Sequence, residues 1–269
     1  MDYFPEFEPP SHYPQRPALV WDRLRKLRIG CINSILGVQT LLSRISLGRG
    51  ADLGIYSLER GLDEILSGIP TRHFANLPSP DFMQYRSYQR EIQLRGPNGS
   101  FTFRTDGLQD LFVEFPVLPS LANIREFRFS HCDTRQHPLT NYPASLLPPG
   151  PEALHQLASF PVLEAFAIEY DIRCNTEVSD ALSPLISNPS AHPSLKTLAF
   201  LNCVITDEFV EGLTRFASLR QETASARLHR VVIVHGYGRF PSITSIHALE
   251  NNVPVVDVRY GNELPTDLT

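Results

Sequence analysis

A short apolar pattern recurs along this chain and limits the folds that it can adopt. In each copy, apolar residues occupy positions 1, 4 and 6 of a short segment, and Leu195, Leu198 and Phe200 form the clearest copy. Positions 4 and 6 of a strand point to the same side, so each copy predicts a strand with one buried face. The same spacing occurs at Leu24/Leu27/Ile29, Ile124/Phe127/Phe129, Leu163/Phe166/Ile168, Leu228/Val231/Ile233 and Val253/Val256/Val258, and less clearly at Leu53/Tyr56/Leu58 and in a segment ending Ile92/Leu94.

The copies from Ile124 onward recur every 25 to 39 residues, an interval typical of a solenoid. Segments with helical periodicity lie between them: 207–219 places apolar residues on one face, and 35–45 and 150–160 behave similarly. Strands that alternate with helices over short links predict a parallel sheet covered by helices. We therefore expect an α/β solenoid of about six to eight irregular units, with a parallel concave sheet and helices on the convex side.

The ends of the chain differ in character. Residues 1–17 are rich in proline and aromatic residues and have no periodicity, which predicts a loose or disordered N-terminal arm. Residues 18–269 predict a single domain in which the repeats are clearest over 120–260. The arm leaves open whether the chain is a fragment of a longer protein.

Charge and cysteine usage restrict the classes of function. The chain has 24 Lys and Arg against 29 Asp and Glu, a net charge of −5, which argues against a dedicated nucleic-acid binder. Its four cysteines form no C-x-x-C pair, so we expect no metal site, no cofactor and a reducing compartment. With no apolar run near the roughly 20 residues of a membrane span and no signal-peptide pattern, we expect a cytoplasmic or nuclear protein without membrane contact.

Residues 195–213, LKTLAFLNCVITDEFVEGL, resemble the cysteine-containing class of leucine-rich repeat, with one residue fewer before Ile205. The resemblance implies that Cys203 packs inward where the chain leaves the strand, and Cys132 and Cys31 stand at similar places in their units. Residues 160–269 also resemble a region found at the C-termini of fungal proteins with varied N-terminal domains, through SLKTLAFLNC, ARLHRVVIVHG and VPVVDVRYGNELPTDL. Some relatives carry an F-box that docks a ubiquitin-ligase scaffold, but no F-box pattern is visible here.

The resemblance implies that positions 3, 5 and 7 of each strand face the concave side and bind a protein partner. The candidate partner-binding residues are Arg28, Arg128, Glu169, Leu201, Arg230, Val232, Val234, Asp257 and Arg259. The later strands contribute apolar side chains, which indicate either an exposed binding surface or a face covered by another part of the chain. The two interpretations differ for Leu201→Asp, which either abolishes partner binding in a folded protein or abolishes cooperative unfolding.

We therefore predict a non-catalytic protein–protein interaction module. One alternative is a substrate-recognition adaptor of a ubiquitin ligase that lacks a visible F-box. Another is a hydrolase-like enzyme, because His235-Gly236 after an apolar strand resembles the oxyanion loop of α/β-hydrolases. That enzyme requires a nucleophile in a G-x-S-x-G turn, and the sequence contains none, so no catalytic residue is predicted.

Overall fold

The computed structural model describes residues 19–21, 25–30, 37, 41, 45–47, 50–57, 80–86, 89, 91–97, 99–105, 121–131, 160–170, 185, 188, 190, 192–222, 227–235 and 240–260. The strands in these ranges are β1 (Leu19–Trp21), β2 (Lys26–Ile29), β3 (Ile45–Leu47), β4 (Ala51–Ser57), β5 (Phe82–Arg86), β6 (Glu91–Gly96), β7 (Gly99–Thr105), β8 (Glu126–His131), β9 (Ala165–Tyr170), β10 (Thr197–Cys203), β11 (Arg230–His235) and β12 (Val255–Tyr260). The helices are α1 (Asp207–Glu222), α2 (Ile243–Glu250) and a short 3-10 helix (Leu121–Asn123).

A mostly parallel sheet organises the described part of the chain. Its ten strands follow the order β12-β11-β10-β9-β8-β5-β6-β7-β4-β2, while β1 and β3 form a separate parallel pair. The predicted α/β class is confirmed. The prediction of an entirely parallel sheet is wrong at β6, which is antiparallel to both β5 and β7. Only residues 87–90 and 97–98 link β6 to its neighbours, and links this short cannot form the crossover that parallel strands require.

Gly99 allows the turn from β6 into β7 to lie against β4. Its φ of +145° lies in a region that L side chains rarely adopt. A Cβ added there would approach the carbonyl oxygen of Ala51 to 2.4 Å, and because that atom is backbone it cannot move aside cheaply. A glycine is therefore required where β7 begins to pair with β4.

The register confirms how the repeated units align. Thr197 pairs with Ala165 on one side and Arg230 on the other, as their shared position 3 predicts. The weaker unit predicted at Leu53/Tyr56/Leu58 is wrong in phase. It assigned Leu53 to position 1, but Leu53 pairs with Leu27, which is position 4 of its own unit. In β4 the two inward positions are Leu53 and Ile55, both buried, so Tyr56 belongs to the other side of the sheet.

The helix-facing side of the sheet forms the main core. Within the copies from Ile124 to Ile233, every residue at positions 1, 4 and 6 is at most 1% exposed. Helix α1 buries Phe209, Val210, Leu213 and Phe216 against this side, and the Phe209 and Phe200 rings meet edge to face at 4.9 Å. The helix predicted over 207–219 is thus confirmed and continues to Glu222. The predicted helices at 35–45 and 150–160 lie mainly outside the described residues.

Helix α2 was not predicted from the sequence. Ser242 caps it by accepting a hydrogen bond from the backbone N–H of Ser245 at 3.2 Å. Asp207, at the start of α1, accepts hydrogen bonds from the Ser242 N–H (2.6 Å) and from Ser245 Oγ (2.8 Å), and so ties the two helix starts together. Ser242, which follows Pro241, is a typical N-cap residue and was the signal from which this helix could have been predicted.

A buried polar group joins the C-terminal end of α1 to the turn before β10. The Arg220 side chain is 1% exposed, and its Nη2 donates hydrogen bonds to the carbonyl oxygens of His192 (3.0 Å) and Leu195 (2.8 Å). Nearby His192 is also buried, and its Nδ1 has no hydrogen-bond partner in the described structure. Burial lowers the pKa of His192, a backbone hydrogen bond at Phe160 opposes that shift, and the charge of Arg220 adds to it.

We expect His192 to make stability depend on pH. Its folded-state pKa lies below the unfolded value of 6.5, so the unfolded state binds protons first as pH falls, and stability is lost from about pH 6.5 downward. His192→Gln should therefore lose less unfolding free energy between pH 7 and pH 5 than the wild type, as measured by urea titration. The exposed His229 provides the control, and His229→Gln should behave as the wild type. Equal losses in wild type and His192→Gln would contradict the prediction.

Candidate functional site

Positions 3, 5 and 7 of the strands form the side of the sheet opposite the helices, here termed the opposite face. Strand pairing places residues of one position side by side, so position 5 makes a row across the sheet. That row runs Arg28, Gly54, Thr102, Gln93, Gln84, Arg128, Ala167, Ala199, Val232 and Asp257. All nine candidate partner-binding residues lie on this face, but their surroundings divide it into four parts.

The first part is apolar and closed. Its residues form a second apolar cluster of Ala165, Ala167, Ala199, Leu201, Val232 and Val234, each at most 1% exposed. Side chains on one face of a sheet lose all contact with solvent only when other atoms pack over that face. The covered-face interpretation therefore describes this part of the structure. A partner could reach Leu201, Val232 and Val234 only if the covering atoms moved away.

The second part is a polar network in the middle of the sheet. Gln84 Nε2 donates to Ser130 Oγ at 3.1 Å, and Ser130 Oγ donates to Glu169 Oε2 at 2.9 Å. Arg128 Nε donates to Glu126 Oε1 at 2.8 Å. The candidates Arg128 and Glu169 are thus both engaged within the chain. Arg86 continues the network, since it pairs with Glu91 and donates to Gln84 Oε1 at 3.0 Å.

The third part lies at the β11–β12 edge. Asp257 accepts hydrogen bonds from Arg259 Nε (2.9 Å) and Nη2 (2.6 Å), and Arg230 Nη2 lies 3.8 Å from its Oδ2. The hydrogen bonds from Arg259 lower the pKa of Asp257, partial burial opposes this, and the charges of Arg259 and Arg230 lower it further. The three candidates here form one ion-pair group with one carboxylate between two guanidinium groups.

The fourth part is a shallow polar pocket at the opposite end of the sheet. It has a volume of about 110 Å³ and is lined by Lys26, Arg28, Asp52, Leu53, Gly54, Tyr56, Gln93, Ser100 and Thr102. Gly54 is part of this lining and lies between Arg28 on β2 and Thr102 on β7. Because glycine has no side chain, the row at position 5 is interrupted there. We term this cavity the Gly54 pocket.

Contacts within the Gly54 pocket arrange its polar groups. Ser100 Oγ donates to Asp52 Oδ1 at 2.7 Å. The guanidinium carbon of Arg28 lies 6.0 Å from the centre of the Tyr56 ring, at the outer range of a cation–π contact. No carboxylate of the described residues lies within ion-pair distance of Lys26 or Arg28. The pocket therefore has two cations that form no ion pair among the described residues, and Asp52 is the one acidic residue in its lining.

The sequence prediction included one lining residue of this pocket, Arg28, in its set of binding residues, and it placed Lys26 at position 3 of the same strand, on the concave side. Lining residues on β4 and β7 were missed for two reasons. The phase chosen for β4 placed Tyr56 on the wrong side, and β7 was not predicted at all. The alternation of polar Ser100 and Thr102 with apolar Phe101 and Phe103 was a usable strand signal.

Several other predictions concern sites of different chemistry. His235 ends β11, while its side chain and Gly236 lie outside the described residues. Within the described ranges, no three His, Cys, Asp or Glu side chains converge on a metal-binding geometry. No helix of the described residues has both the length and the apolar character to cross a membrane.

Comparison with known proteins found no relative: no family model, curated protein or solved structure matches this chain.

Proposed function

We propose that this protein is a non-catalytic module of the leucine-rich-repeat type that binds a protein partner on the opposite face of its sheet. The aligned register of β8 to β12 supports a repeated architecture, since every strand contributes the same positions to each side. Cys203 supports the cysteine-containing class. It is fully buried at the end of β10, its Sγ lies 3.3 Å from the Leu201 carbonyl oxygen, and burial raises the pKa of its thiol.

One observation carries the proposal: the Gly54 pocket is an accessible depression whose two cations, Lys26 and Arg28, are both exposed. The apolar cluster is closed, Arg86, Arg128, Arg230 and Arg259 are paired with carboxylates, and Arg95 stacks on the Phe82 ring. For a partner that binds this face of the folded protein, the electrostatic contribution to the binding free energy is therefore expected to be largest at the pocket. We expect the contact to centre on β2, β4 and β7, with the apolar cluster serving stability.

Capture of protein partners from an extract of the source cells tests the proposal. Lys26→Glu/Arg28→Glu should reduce recovery of the partner by about tenfold or more, the effect of losing roughly 1.4 kcal/mol of binding free energy. The control is Arg215→Glu/Arg227→Glu, which changes the net charge equally at exposed sites outside the opposite face. It should retain wild-type recovery, and circular dichroism should show all three proteins folded. Equal recovery by all three would contradict the proposal.

A further inference from the structure

The Gly54 pocket has a composition that selects a particular group on the partner. We propose that it binds a carboxylate side chain, Asp or Glu, of the protein partner, an inference that rests on the proposed function. The lining side chains are mostly hydrogen-bond donors or can donate: the Lys26 ammonium, the Arg28 guanidinium, the Gln93 amide, the Thr102 hydroxyl and the Tyr56 phenol.

The single acidic group in the lining is already engaged. Asp52 is the register partner of Lys26, and it accepts a hydrogen bond from Ser100 at 2.7 Å, which uses part of its acceptor capacity. Across Gly54 from Thr102 stands Arg28, whose planar fork of N–H groups matches the two oxygens of a carboxylate. An acidic side chain in the pocket would therefore have Arg28 and Lys26 on one side and neutral donors on the other.

Net charge decides between a carboxylate and a phosphate. Two cations and Asp52 leave the pocket with one net positive charge, which a carboxylate cancels. A phosphorylated side chain carries about −1.5 to −2 charges at neutral pH, and part of that charge would face Asp52 without compensation. The pocket therefore favours the singly charged group.

Four other arginines of the opposite face provide an internal comparison. Arg86, Arg128 and Arg259 each have a carboxylate within 4.0 Å, supplied by Glu91, Glu126 and Asp257. Arg95 instead stacks on Phe82, with its guanidinium carbon 3.7 Å from the ring centre. At the three ion pairs, the chain itself supplies the counter-charge for the arginine. At Lys26 and Arg28 the described residues provide cations and a cavity, but no paired carboxylate.

The placement of two pocket walls depends on Gly54, because the Tyr56 ring and the Arg28 stem lie over it. An added Cβ would lie 3.2 Å from Tyr56 Cε2 and 3.4 Å from both the Tyr56 hydroxyl and Arg28 Cγ, all atoms of side chains and none of backbone. Gly54→Leu would thus displace the Tyr56 ring and the Arg28 side chain from the positions in which they line the pocket. Arg28→Gln would leave the space and remove the charge, and because Arg28 is exposed the fold should tolerate it.

Peptides selected on the immobilised full-length chain from a random display library test the inference. In synthetic copies of the selected peptides, one acidic position should lose about tenfold or more in affinity when Asp or Glu becomes Asn or Gln. Arg28→Gln should remove that dependence, and Gly54→Leu should abolish binding while its unfolding transition stays cooperative. Arg215→Gln serves as the matched control and should bind as the wild type. Phosphoserine at the same peptide position should bind more weakly than Glu.

The possible failures separate the two proposals. Peptides that compete with the captured partner but tolerate loss of every carboxylate, or that bind Gly54→Leu as they bind the wild type, would overturn the pocket assignment and leave the binding function intact. Tenfold tighter binding of phosphoserine would overturn the choice of carboxylate. Failure to select any peptide, together with equal partner recovery by the charge-reversal variants, would overturn the proposed function and the pocket with it.

Discussion

Leu201→Asp should abolish the cooperative unfolding transition of the protein. Leu201 is fully buried in the apolar cluster, and its neighbours in register are Glu169 on β9 and Val234 on β11. The substitution would remove about 1.5–3 kcal/mol of apolar burial. It would also bury a carboxylate without a cation and next to an existing one, at a cost of several kcal/mol. Those losses are comparable with a typical total stability of about 5–15 kcal/mol.

Urea titration followed by circular dichroism measures this effect, with Val255→Asp as its matched control. Val255 is an apolar residue on the same face, but it lies on the edge strand β12, is 43% exposed and pairs in register with Arg230. An aspartate there should cost about 1 kcal/mol or less. A Leu201→Asp protein that unfolds cooperatively at the wild-type midpoint would show that the apolar cluster is open in solution, and would restore Leu201 as a surface for a partner.

Arg220→Ala should destabilise the fold by about 3 kcal/mol, the second largest expected effect. Its guanidinium is buried against the turn before β10, where the carbonyls of His192 and Leu195 accept its hydrogen bonds. The guanidinium carbon lies 5.4 Å from the centre of the Phe216 ring. Burial lowers the pKa of Arg220 to about 10, so the group is still a cation at neutral pH. Truncation would remove one donor from each carbonyl oxygen, although that of His192 still accepts from the Leu195 N–H at 3.1 Å, and it would open a cavity beneath α1.

The free energy of unfolding from urea titration again provides the measurement. Arg215→Ala is the control, because Arg215 lies on the same helix but is exposed, and its loss should change stability by about 0.5 kcal/mol or less. Arg220→Met separates the loss of hydrogen bonds from the loss of packing, since it retains most of the apolar stem and loses the donors. Equal midpoints for Arg220→Ala and Arg215→Ala would show that the buried hydrogen bonds contribute nothing net.

The repeated units were predictable because their signal is local. In the unit around Leu198, the apolar spacing, the cysteine at the strand exit and the acidic start of α1 all lie within a short stretch of chain. The region from β4 to β7 was not predictable to the same degree. β6 was indicated by the segment ending Ile92/Leu94, but β5 and β7 were missed. β4 was assigned in the wrong phase, because a short apolar spacing occurs in two phases around Tyr56 and only pairing with its neighbours selects one of them.

The candidate site shows the same division. Arg28 was identified from its position in a unit, whereas Gly54 has no side chain and attracts no attention in a search for binding residues. Its role appears only when β2 and β7 place Arg28 and Thr102 on either side of it. Apolar residues such as Leu201 and Val232 were recognised as facing this side. Whether they are exposed or covered could not be inferred from alternation, since both kinds of face have the same pattern in a strand.

The sequence by itself therefore determined which side chains of the later strands face the helices and how the later units align. Those properties follow from alternation and apolar identity within a few residues. Only the tertiary structure decided that the apolar part of the opposite face is closed, that β6 reverses direction, and that residues of β2, β4, β6 and β7 line a cationic pocket. Burial and cavities depend on which distant strands become neighbours, and the order of strands in a sheet is set by packing over the whole chain.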